Sequence, residues 1–74
     1  MKSKGIYNNL EKEMAIANVR RIDLEKVLPF NLNTLTSKLS GKSEITLNEA
    51  TIIRDYLEKH TGKKFELEYL FELE

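Results

Sequence analysis

Residues 23–44 read DLEKVLPFNLNTLTSKLSGKSE, and their punctuation decides the fold. Leu24, Val27 and Leu28 make one apolar face over two helical turns. Pro29 disfavours helical geometry at Leu28, so this helix stops there. Phe30 is then placed to pack under the turn. Asn31, an N-cap residue type, opens another short helix over 31–40. Leu35 and Leu39 share its inner face, and Gly41 supplies its C-terminal stop. The rest of that helix surface is small and polar: Asn33, Thr34, Thr36, Ser37 and Ser40. The spacing therefore predicts two short helices around a tight Pro29–Phe30 turn, the later one bearing a polar outer face.

The flanking sequence also reads as helix. In YNNLEKEMAIAN, Ile6, Leu10, Met14 and Ala17 recur at helical spacing, with Asn8 or Asn9 as the starting cap and Asn18 as the stop. Thr46 and Glu49 form the T-x-x-E pattern of a capping box. The helix they open carries Leu47, Ala50, Ile53, Tyr56 and Leu57 at core spacing and ends at Gly62. His60, in its last turn, is read as serving the carbonyl end. The tail FELEYLFELE is open to two readings. Its alternation of apolar residues with glutamates is a strand signal, yet Leu67, Leu70 and Phe71 also suit one helical turn. A lone strand needs a partner, so the expectation is a short helix, with an intersubunit strand as the rival.

Composition narrows the function. Seventy-four residues make one small domain, expected to bury only roughly 60–65% of its unfolded surface, so dimerisation would help it. There is no Cys and a single His, which leaves no thiolate nucleophile, zinc–cysteine cluster or multi-histidine metal site. No nucleophile–base set stands out among the remaining residues. No apolar stretch approaches a membrane span, and the N-terminus lacks a signal-peptide core, so a cytoplasmic location is expected. The formal charge is zero, but unevenly placed. Residues 1–42 carry eight cations and four carboxylates, whereas residues 43–74 carry four cations and eight carboxylates. A polyanion would be drawn to the first part and repelled by the second.

Two short helices joined by a few residues make the helix-turn-helix arrangement, whose second helix fits the DNA major groove with its exposed side chains toward base edges. Its N-terminal amides can face a phosphate. The residues NLEKEMAIAN, DLEKVLPFNLNTLTSKLSGKSE, TLNEATIIRDYLEK and LEYLF together resemble the lambda-repressor/Cro-type (XRE-like) helix-turn-helix proteins, with the nearest likeness to small phage and prophage regulators of Gram-positive bacteria. The resemblance runs from Asn8 to Phe71. It implies an all-α, five-helix domain that binds specific double-stranded DNA as a homodimer, regulates transcription and catalyses nothing. It implies no cofactor, metal, membrane or small-molecule substrate.

Two positions depart from the family pattern. Glu25 stands where members usually carry a small residue between closely approaching helices, and Pro29 where they usually carry Gly. Either Glu25 bends its carboxylate outward, near Lys26 or Arg21, or the angle between the two helices differs from the family's and DNA docking is put in doubt.

Carried over residue by residue, the resemblance places Asn33, Thr36 and Ser37 against base edges. It places Arg21, Asn31, Lys38, Ser40 and Lys42 against phosphates. Leu32 falls at a base-reading position of the family, but it shares a stripe with Leu35 and Leu39, and partial core burial is favoured. Leu67, Tyr69, Leu70 and Phe71 are candidate dimer contacts. Residues 1–6, with Lys2 and Lys4, read as a flexible arm. The competing reading is a module of the same fold that binds another protein and no longer binds DNA. Glu25, the zero net charge and the apolar tail favour it.

Overall fold

The computed structural model describes residues 6–73, and over them the chain is all-helical. Five helices follow in order: α1 Asn8–Ala17, α2 Arg21–Glu25, α3 Leu32–Leu39, α4 Leu47–Thr61 and α5 Leu67–Leu70. The tail is thus helical, and the strand alternative is overturned: Leu70 turns inward to complete exclusion from solvent. Period-2 alternation would have put Leu70 on the glutamate face.

Every helix but the last begins or ends on local chemistry of the chain. Asn18 closes α1 in the left-handed conformation, at φ 57°. The start of α1 differs from expectation. Tyr7 is the cap residue and its side chain makes no capping bond, while Asn8 and Asn9 lie inside the helix. Asn9 instead donates to the Tyr69 carbonyl at 2.9 Å, tying α1 to α5. At α2, the Asp23 carboxylate accepts from the Arg20 amide at 2.9 Å. At α4, the Thr46 hydroxyl accepts from the Glu49 amide and the Glu49 carboxylate from the Thr46 amide, both at 3.1 Å, which is the reciprocal box the sequence announced.

The core is a single cluster. Leu10, Leu24, Leu35, Leu39, Ile53, Leu57 and Leu70 are wholly buried, so α1 to α5 each contribute at least one side chain. Each such burial is worth about 1.5–3 kcal/mol against exposure. Phe30 packs under the turn against this cluster, as does Leu32, which is half-buried. Leu47 departs from its expected core place: it is 74% exposed. Val27 is likewise turned outward.

Ile6 belongs to the expected arm, yet its amide donates to the Leu39 carbonyl at 2.9 Å and anchors it to the end of α3. The arm's remaining residues, with Lys2 and Lys4, lie outside the described residues. The same junction explains Gly41. Its φ of +90° completes a Schellman closure of α3, in which Lys42 donates to the Ser37 carbonyl and Gly41 to that of Lys38. A Cβ there would also meet the Ile6 Cδ1 atom at 2.9 Å.

Candidate nucleic-acid interface

The outer face of α3 is built from Asn33, Thr36 and Ser37, which lie at i, i+3 and i+4. Leu35 and Leu39 fix the rotation of the helix by facing the core, and this leaves Asn33 exposed with Thr36 and Ser37 partly so. No side-chain hydrogen bond among the described residues uses any of these three groups. Their donors and acceptors are therefore available to a partner. An amide with two donors and one acceptor oxygen beside two hydroxyls can read base edges, with Asn best matched to adenine.

The start of α3 is held by two carbonyl-type oxygens from the chain itself. Asn31 caps it as expected, its Oδ1 accepting from the Thr34 amide at 2.9 Å. Glu25 does not bend outward toward Lys26 or Arg21. Its Oε2 accepts from the Leu32 amide at 2.7 Å. The carboxylate reaches across the turn from the last residue of α2 and takes one of the amides that a phosphate would use. The sequence contained both partners but not the turn geometry that joins them.

The residues assigned to phosphates divide accordingly. Lys42 is exposed in the loop after α3. Asn31 keeps its Nδ2 free to donate, because only its oxygen is engaged in capping. Arg21 bonds the Glu11 carboxylate at 3.3 Å, so part of its guanidinium remains open while its charge is balanced. Two assignments meet prior engagements. Lys38 donates to Glu49 at 2.9 Å and to the Glu44 carbonyl at 3.0 Å, and lies 5.0 Å from the centre of the Phe30 ring. With its side chain 14% exposed and that of Glu49 16%, it is an internal strut between α3 and α4. Ser40 gives its single hydroxyl hydrogen to the Ser37 carbonyl at 3.1 Å, so that donor is already used.

Burial pushes the Glu49 carboxyl up. The hydrogen bonds from Lys38 and Thr46, together with the Lys38 charge, outweigh it and hold the group below its ordinary pKa. Tyr69 is shifted the other way. Its hydroxyl donates to Glu13 at 2.8 Å, and this bond, partial burial and the carboxylates of Glu13 and Glu72 raise its pKa.

No protein-family model matches the chain. No significant match exists to a curated protein or to a solved structure either.

The candidate dimer residues also separate. Leu70 is enclosed by its own chain and cannot meet a second copy, which corrects its assignment. Tyr69 is held by Glu13. Phe71 lies edge-on to Tyr7, ring centres 5.2 Å apart, and with Leu67 borders a surface groove. His60 is exposed and stacked on Tyr56, with ring centres 5.5 Å apart. Among the described residues no three His, Asp or Glu side chains converge as metal ligands would, and no helix is long and apolar enough to cross a membrane.

Proposed function

We propose that this chain is a sequence-specific DNA-binding transcriptional regulator with a lambda-repressor/Cro-type helix-turn-helix fold, working as a homodimer in the cytoplasm and without catalysis. In this reading α2 and α3 are the helix-turn-helix pair and α3 enters the major groove. Asn33, Thr36 and Ser37 meet base edges. Lys42, Asn31 and Arg21 meet phosphates. Two copies would set their α3 helices about 34 Å apart, in successive major grooves. The observation that carries the reading is the outer face of α3, whose three polar side chains are directed away from the core and bond to nothing else among the described residues.

A mobility-shift titration against random duplex at low salt tests it. Retardation is expected at micromolar protein, since non-specific affinities fall at about 10⁻⁴–10⁻⁶ M. Absence of retardation at about 100 μM would transfer the fold to its second reading, a protein-binding module. The pairing of Lys38 with Glu49 and of Glu25 with the Leu32 amide favours that alternative, because both remove positive potential from the face that would meet phosphates.

A further inference from the structure

A groove of about 580 Å³ opens where the N-terminal turn of α4 meets α5 and the segment before α1. Tyr7, Ile45, Leu47, Leu67, Phe71 and Leu73 make its apolar walls, and Glu68 stands on its border. Leu47 at 74% and Leu73 at 60% are the two most exposed leucines of the described chain, and they face this one feature. Large apolar side chains gathered around a concavity mark a contact site, whereas single exposed ones do not.

The charge around the groove selects its occupant. Among the described residues, every carboxylate or cationic side chain that lines the groove or adjoins a lining residue in sequence is a glutamate: Glu44, Glu49, Glu66, Glu68 and Glu72. Among the described residues, Glu49 alone of these is paired with a cation, Lys38. A second copy docked symmetrically would set this acidic rim against itself. A segment with apolar residues on one face and Lys or Arg on its flanks would fill the walls and satisfy the rim. We infer that the groove docks a cationic amphipathic segment of a partner protein. This site is separate from the outer face of α3 and does not depend on the DNA-binding reading.

A synthetic helical peptide with Leu on one face and Lys on the other is the probe, followed by amide NMR shifts. The shifts should centre on Leu47, Ala50, Glu68 and Leu73. A Leu/Glu peptide of the same register should bind at least tenfold more weakly. Leu47→Ser should weaken the Leu/Lys peptide about tenfold, or about 1.4 kcal/mol, with the melting temperature unchanged because Leu47 is exposed. It should leave duplex retardation as it was, which separates this site from α3. Glu68→Lys with Glu72→Lys should also weaken the peptide and flatten its salt dependence. The inference is overturned if a register-scrambled Leu/Lys peptide binds equally well, or if the shifts centre elsewhere. Sedimentation showing a dimer that Leu47→Ser dissolves would also overturn it, by assigning the groove to a second copy.

Discussion

The Glu25 carboxylate accepts a hydrogen bond from the Leu32 amide at 2.7 Å, so the last residue of α2 caps the first residue of α3. The bond closes the turn over 26–31 from the inside. It also places a negative charge at the positive end of α3, where it is favourable to folding and unfavourable to an approaching phosphate. One side chain thus acts in opposite directions on stability and on polyanion affinity.

Glu25→Ala should therefore uncouple the two. Loss of the cap should lower stability by about 1 kcal/mol, or about 4–8 °C in melting temperature for a domain of this size. Duplex affinity at low salt should rise in the same variant. Glu25→Gln keeps an acceptor oxygen without the charge, and should recover part of the stability while retaining the raised affinity. Thermal unfolding by circular dichroism and a filter-binding titration read the two effects. A variant that loses both together would mean that Glu25 only holds the fold.

Lys38 and Lys42 are four residues apart, yet they should respond differently. Lys42→Ala should weaken binding to all duplexes alike and reduce the slope of log K against log salt by about 0.9. Lys38→Ala should leave that slope nearly unchanged and lower stability instead, because its ammonium is already committed to Glu49 and the Glu44 carbonyl. Salt-dependent titrations of the two variants check this directly. Equal slopes in both would mean that Lys38 leaves Glu49 for a phosphate.

The Glu49 carboxyl has a pKa below its unfolded value, so its contribution to stability is complete above the ordinary carboxylate range and is lost as pH falls through the folded value. The melting temperature of the native chain should exceed that of Glu49→Gln at pH 7 by an amount reflecting about 1 kcal/mol. The gap should close as pH falls through and below the ordinary carboxylate range. A gap that widens in acid would reverse the assignment.

The tail is part of the core, and its removal should show it. Leu70→Ala should cost about 2–5 kcal/mol, because the side chain is wholly buried between α1 and α4. Tyr69→Phe should cost far less, because it removes only the hydroxyl's bond to Glu13. Deletion of residues 67–74 is thus expected to yield a largely unfolded chain. Chemical denaturation measures the first two, and a folded truncated protein would contradict the packing.

Helices α1 to α4 were legible because each rests on local chemistry at one of its ends. The Thr46–Glu49 box, Asn18 and Asn31 act within a few residues of where they stand, and Pro29 acts on its neighbour. The outward face of α3 followed from Leu35 and Leu39 alone. What the sequence concealed depends on long-range geometry. Lys38 reads as a surface cation until α4 places Glu49 beside it, eleven residues away. Glu25 reads as an outward acid until the turn delivers the Leu32 amide. Leu47 fits the α4 stripe by spacing, but stripe position carries no information about whether a neighbour covers that turn. The alternation in the tail was outweighed by the place available to Leu70 in the core.

Base reading by Asn33, Thr36 and Ser37 is tested most directly by a selection of bound sites from a random duplex pool. The native chain should enrich a defined sequence, and Asn33→Ala should lose the preference at one base position by about 1–3 kcal/mol while its affinity for random duplex stays level. If Asn33→Ala enriches the same sequence with the same preference at every position, α3 does not face the bases.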